Sequence, residues 1–454
     1  MVLSSLVFAA ALTLDGAAAK EHASKLAALG PHPYGSPRGR FAAEFVAAQF
    51  RAAGLQEVRQ QEVEAGEARG ANVLGVLRGP GTEFVVLAAH HDTAQDSPGA
   101  YGSGAGVGLL IEAARVLGRG QDRPRTNVFA SFDGREPRLG GRGGLGARAY
   151  VQALGKQGRD LVGAFVLDRA GRKGLSPSLE VAAYPDPLRP GSTLVAPEGL
   201  ARAAVGGAAL AGESITVGDP LWPWLYQAGV RTFRVRDLGD DRPFLEAGLP
   251  ALRLSARRFL ARDPHDLTET DTAEHLDDEA LSSTGRALLG GLTVLQNAAR
   301  PGADPDWFLG LGRVLGRSAL LLAGALSLLP GLVTTWRGPR LSLGLRLVHV
   351  ALFGLVLYRH PVPTLFAFFL WNVLTAFGPR LLGLVVGALP VLALLTVGGL
   401  AWSRGLITGV HLAVWELVIA AFAAALALAL GRRAVSRSRG GGRHAGGRKG
   451  LAKG

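Results

Sequence analysis

Cysteine is absent from the 454-residue sequence, which excludes disulfide staples and thiolate zinc sites and leaves the redox compartment open. Acids are plentiful at first and then nearly vanish. The chain holds 49 Lys+Arg against 36 Asp+Glu, yet from Trp307 onward sixteen basic residues face a single acid, Glu416. The formal charge of +13 therefore belongs to the C-terminal third, while residues 1–306 are close to neutral. That third also lacks amphipathic patterning. "LLGLVVGALPVLALLTVGGLAW" has no polar face, so it does not read as a helix of a water-facing core. Basicity confined to an apolar segment argues for a membrane and against nucleic acid as the partner.

Apolar stretches run over about 314–335, 341–358, 361–378, 381–402 and 409–430, each near the ~20 residues that cross a bilayer. An all-α transmembrane bundle is expected over 313–430, followed by a basic tail at 431–454 with eight Lys+Arg and no acid. Basic residues favour the cytoplasmic side, which places the tail and the loops with Arg337, Arg340, Arg346 and Arg380 inside. Five spans then put everything before the first one outside the cytoplasm. The tail could bind nucleic acid, but contact with anionic lipid is the simpler expectation. Residues 1–19, within "MVLSSLVFAAALTLDGAAAK", form an apolar segment of signal-peptide length without the usual basic start. It reads either as a cleaved signal or as a short sixth span. Glu416 has possible partners in His411, Arg346 and His349, as a structural pair or a proton pathway.

Between residues 20 and 300, β-rich runs alternate with helical patterns, the signature of an α/β layer fold. "ANVLGVLRG", "TEFVVLAAH", "TNVFASFD" and "GAFVLDRAG" read as strands, with "FAAEFVAAQFRAAG", "GVGLLIEAARVLGRG" and "GLGARAYVQALG" as helices. A linker is expected at 301–312. Chemistry in open α/β sheets gathers where strands end, and His90, Asp92, Asp133, Glu136 and Asp168 each follow such a run.

At these residues the sequence resembles the di-zinc aminopeptidases of metallopeptidase family M twenty-eight. The resemblance covers roughly residues 20–300 and rests on seven segments in order. They are "GPHPYGSPRGRFAAEFVAAQFRAAGL", "LAAHHDT", "SPGAYGSGAGVGLLIEAARVL", "FASFDGREPRLGGRG", "FVLDRAG", "DDRPFLEAGLPALRL" and "PHDLTETDTAEHLD". It implies a zinc-exopeptidase-like domain, a mixed central sheet flanked by helices. It also implies zinc on four ligand positions, here His90, Glu136, Asp168 and His265, with Asp92 orienting His90.

Two positions depart from the family. Gly102 stands where a carboxylate would bridge the two ions, with Tyr101 beside it. Arg135 stands where the general base should be, and a guanidinium stays protonated and cannot accept the proton of a metal-bound water. His265 lies six residues before Asp271, where the family has four. Each metal position would keep at most two protein ligands, so zinc binding is doubtful and the expected protein is the shell of a peptidase. Its cleft would hold a peptide or protein terminus, or serve a membrane complex. The architecture resembles the attachment subunit of the glycosylphosphatidylinositol transamidase. The rival expectation is a working metallo-aminopeptidase with an altered site, rescued by a ligand such as Asp96; a transporter with a receptor domain is a third. Arg135 and Arg169 could replace the missing metal charge between Glu136 and Asp168, or face solvent.

Overall fold

The computed structural model describes residues 14–310 except 121–122, 137–142, 189–192, 219–222, 236–238 and 258–262. Beyond that it describes 312–336, 350–366 without 352, and scattered positions between 392 and 410.

An eight-stranded mixed sheet is built from strands between Gln56 and Ser255. Its strands are β1 (Gln56–Ala65), β2 (Ala68–Leu77), β3 (Phe84–His90), β4 (Thr126–Phe132), β5 (Leu161–Leu167), β6 (Ser178–Glu180), β7 (Thr216–Val217) and β8 (Ala251–Ser255). They lie in the order β1-β2-β4-β3-β5-β8-β6-β7. The central four, β4-β3-β5-β8, are parallel, whereas β1, β2 and β6 join antiparallel. Parallel strands are buried on both faces, and β3 shows the consequence. Val85, Leu87 and Ala89 enter the larger core, while Phe84, Val86 and Ala88 enter the smaller one.

Helices α1 (Gly16–Ala27), α2 (Pro37–Ala52), α3 (Ala105–Gly118), α5 (Glu198–Leu210) and α8 (Asp278–Asn297) cover the first face. Helices α4 (Leu145–Leu154) and α7 (Arg242–Glu246) cover the second, with Tyr150 and Phe244 packed on Phe132. Helix α6 (Pro223–Thr232) lies between β7 and the chain leading to the last hairpin. The α/β class and the mixed sheet flanked by helices agree with the sequence reading.

The boundaries fall differently. Helix α1 starts inside the segment read as signal or anchor. Asp15 caps it through Ala17 and Ala18, and the Asp15 N–H bonds Glu112. Ala19 and Ala23 are fully buried, and a Cβ on Gly108 of α3 would meet the Ala19 carbonyl at 2.1 Å. The two helices thus cross backbone to backbone, which only glycine permits at that point. Residues 1–13 lie outside the described ones.

The stretch expected as a linker is folded onto the domain. Strands β9 (Trp307–Gly310) and β10 (Arg313–Gly316) pair as a hairpin. Trp307 is fully buried and its indole N–H bonds the Ala196 carbonyl at 2.6 Å. The first expected span therefore opens on a strand, and helix α9 runs Arg317–Trp336. Among the described residues no helix is long and apolar enough to cross a membrane. The expected spans at 341–358, 361–378, 381–402 and 409–430 fall largely outside the described residues. Glu416 and the tail do so entirely.

Candidate active site

Three parallel strands deliver the site. β3 ends in His90, β4 runs into Asp133 and the turn carrying Arg135 and Glu136, and β5 ends beside Asp168. A one-turn π-helix at Ala100–Gly104 brings Gly102 over the same strand ends. This is where parallel sheets place reactive groups.

His90 is 2% exposed. Its Nδ1 faces Asp92, 3.1 Å from the carbonyl and 3.3 Å from Oδ1, and its Nε2 lies 3.2 Å from the Gly102 carbonyl and 3.8 Å from Asp168 Oδ1. Burial works against the imidazolium, but the Asp168 and Asp92 carboxylates outweigh it and push His90 up to about 10. Asp92 also accepts from the backbone N–H groups of Arg135 (3.0 Å) and Glu136 (2.9 Å). Against its burial, the contact with His90 and those two N–H groups hold its carboxyl below the usual range.

Arginine fills the space between the acids. Arg135 spans two carboxylates, with Nη1 2.6 Å from Glu136 and Nη2 2.8 Å from Asp168. Arg169 donates to both oxygens of Asp168 at 3.0 and 3.1 Å, and to Asp266 at 2.8 Å. It does so from a left-handed backbone, φ 49°, a conformation that costs a side-chain-bearing residue about 1 kcal/mol. Arg253, wholly buried, lies 3.3 Å from Asp168, 3.3 Å from Glu180 and 3.5 Å from Asp241. Although burial opposes its charge, the three guanidiniums hold the Asp168 carboxyl well below the usual range. Arg135 and Arg169 are only 5% and 6% exposed, so the solvent-facing alternative does not describe them.

His90, Asp92, Glu136 and Asp168 thus converge. His265 turns elsewhere: its Nδ1 bonds Thr270 at 2.8 Å, and its ring stacks on His275 with centroids 3.8 Å apart. Its neighbour Asp266 makes the link to the site instead, through Arg169. At the position where the resemblance expects a bridging carboxylate, a Cβ on Gly102 would meet Asp271 Oδ2 at 3.2 Å and Asp266 Oδ1 at 3.4 Å. Asp271 caps the turn, accepting from the N–H groups of Tyr101 (2.7 Å) and Gly102 (3.1 Å). Tyr101 is buried and donates to the Ala256 carbonyl. Asp96 is exposed, apart from the buried group.

Sequence reasoning missed Arg253, Glu180, Asp266 and Asp240. Arg253 carried a signal, as the one charge inside the apolar run "LPALRLSA". Asp240 is 2% exposed and burial pushes its carboxyl up to about 7, against the pull of His90 and Arg135. Among the described residues its Oδ1, like Asp266 Oδ1, is buried without a hydrogen-bond partner.

Residues 72–291, just under half of the chain, match the sequence model of Peptidase family M28. No curated protein sequence matches the chain. Among solved structures, LapB from Legionella pneumophila is similar with TM-score 0.52 and 20% identity, covering 65% of this chain and 75% of that one. The LapA aminopeptidase of the same organism gives 0.50 at 16% identity, with the same coverage. BSAP, a zinc aminopeptidase from Bacillus subtilis, gives 0.49 at 16% identity, covering 64% of this chain and 98% of that one. At such identities the structural likeness speaks for the fold alone, and the family match falls on the same sheet and strand ends. The α/β domain has an M28-peptidase-like fold.

Proposed function

We propose that this chain is a membrane-anchored, catalytically degenerate relative of the M28 peptidases, whose extracytoplasmic cleft binds a polypeptide terminus. The observation that carries the reading is Arg135, held 2.6 Å from Glu136 and 2.8 Å from Asp168. The family match suggests zinc, but the donor set here does not fit a pair of zinc ions. The two carboxylates that would hold metal already hold a guanidinium, the bridging position has no side chain, and His265 is turned away. Zinc needs three or four donors, with carboxylate and neutral imidazole free to coordinate.

Two buried acceptors favour an amino terminus as the occupant. Asp240 Oδ1 and Asp266 Oδ1 border the arginine network and lack partners among the described residues. An α-ammonium group would satisfy such oxygens. The domain would then serve as a recognition surface in a membrane complex.

The test is metal content and turnover of the purified full-length protein. Elemental analysis should find no stoichiometric zinc, and aminoacyl chromogenic substrates with added zinc should not be hydrolysed. Two zinc ions per chain with chelator-sensitive turnover would overturn the reading in favour of a working metallo-aminopeptidase with an altered site.

A further inference from the structure

The opposite end of the sheet holds a second feature. A cavity of about 1100 Å³ opens at the amino ends of β5 and β8, away from His90 and Asp168. Its wall is completed by Arg317 at the start of α9 and by Tyr358, Arg359, His360 and Pro363, around a break between two helical stretches. Among the described residues five arginines line it (Arg159, Arg231, Arg300, Arg317 and Arg359), together with His360, against two acids, Asp186 and Asp306. Asp306 is already engaged by Arg317.

Arg231 is the informative one. It is 6% exposed, its guanidinium donates to the carbonyls of Trp307 (2.9 Å) and Gln227 (3.2 Å), and it lies over the Trp307 ring. Among the described residues no carboxylate lies within ion-pair distance of it, and burial pushes it down to about 10 against the weaker opposing pull of Asp306. A buried cation in a cavity rich in further cations is costly unless an anion enters. Apolar residues, including Leu194, Val195, Leu245 and Leu249, line the same space, so the fitting ligand joins an anionic head to apolar chains. In the expected topology Arg317 and Arg359 both lie at the outer membrane face, at headgroup level.

We propose that this cavity binds the phosphate headgroup of an anionic phospholipid. The assignment of lipid rests on the membrane reading; the anion site itself rests on the cavity.

The experiment uses the full chain purified in detergent. Its unfolding midpoint is titrated separately with phosphatidylglycerol, phosphatidylcholine and inorganic phosphate. Phosphatidylglycerol should raise the midpoint saturably and phosphatidylcholine should not. The Arg300→Gln/Arg359→Gln double variant, altered at two exposed positions, should bind phosphatidylglycerol about 30-fold more weakly, from roughly fivefold per arginine at a lipid surface. A phosphatidylglycerol shift undiminished in that variant overturns the location, and no shift with any additive overturns the site. Inorganic phosphate reaching the same plateau at the same concentrations, with the same sensitivity to the variant, overturns the lipid source and leaves a soluble phosphate ester as ligand. Carbonate extraction of membranes tests the other premise separately. A chain released into the supernatant refutes the membrane reading, while the phosphate titration still reports on the cavity.

Discussion

Arg135→Ala tests whether a guanidinium has taken over the work of a metal ion. The side chain is 6% exposed and sits between Glu136 and Asp168, 9% and 3% exposed. Its removal does not strand both acids equally. Asp168 keeps Arg169 at 3.0 Å and Arg253 at 3.3 Å, whereas among the described residues Glu136 keeps only Arg169 at 3.9 Å. The cost therefore falls chiefly on one buried carboxylate and comes to about 1–3 kcal/mol, less than the ~3–5 kcal/mol of a fully abandoned buried charge. For a domain of this size that lowers the unfolding midpoint by roughly 2–5 °C. The assay is thermal unfolding of the full chain in detergent, with and without zinc. Zinc should recover part of the loss in the variant, since the vacated space lies between two carboxylates, and should do nothing for the native chain. An unchanged midpoint in Arg135→Ala refutes the reasoning. So does zinc stabilisation of the native chain that the variant loses.

Further tests address other parts of the molecule. Arg253→Ala should cost more than Arg135→Ala, about 3–5 kcal/mol, because Arg253 is unexposed and faces Asp168, Glu180 and Asp241 together; equal midpoints for the two variants would contradict the network. Gly108→Val should prevent α1 from docking, since its Cβ would meet the Ala19 carbonyl at 2.1 Å, and faster proteolysis within residues 14–30 is the readout. N-terminal sequencing of the mature protein should begin before Asp15, because cleavage in the Ala-rich stretch would remove the first turn of a buried helix; a start at or after Lys20 refutes this. The chain has no cysteine, so single substitutions report topology cleanly. Arg359→Cys should react with an impermeant maleimide on intact cells and Arg433→Cys should not, and the reverse pattern would sink the orientation.

Legibility in the sequence followed local pattern strength. The four strands and three helices read from it are those with strong apolar runs, and each is present near its expected place. Strand β1, "QEVRQQEVEA", escaped because it is an edge strand with most side chains in water, where composition resembles a loop. Strands β6 and β7 escaped because they have three and two residues, too few to show a period. The site divides in the same way. His90, Asp92, Glu136 and Asp168 follow strong strands and were readable. Arg253, Glu180 and Asp266 join through tertiary contact alone. The hairpin at 307–316 was hidden because "PGADPD" carries every mark of a linker. What holds that segment is the carbonyl partners of Trp307 and Arg231, which no local pattern announces.

If the site is degenerate as proposed, the arginine at position 135 also accounts for the survival of the fold. Losing metal from a carboxylate cluster leaves like charges buried together, a cost that would ordinarily unfold or remodel the strand ends. Arg135, which the resemblance sets at the general-base position, has the planar fork that reaches both Glu136 and Asp168. On this reading one substitution removes the proton acceptor and supplies the counter-charge, so the domain survives the loss of its chemistry. The two functions are then mutually exclusive at this position. Arg135→Glu alone should restore no turnover, since it puts a third acid in place of the cation that spans Glu136 and Asp168 and leaves only Arg169 and Arg253 to face them among the described residues. Gly102→Asp alone should place a carboxylate against Asp271 and Asp266, whose oxygens lie 3.2 and 3.4 Å from its Cβ. Each single variant should be less stable than the native chain and inert towards aminoacyl substrates. The double variant should be the most zinc-dependent of the three, because groups that act as a unit are non-additive. Zinc titration of the unfolding midpoint measures this, and a double variant indifferent to zinc would show that the strand ends have lost the geometry for a metal as well as the residues.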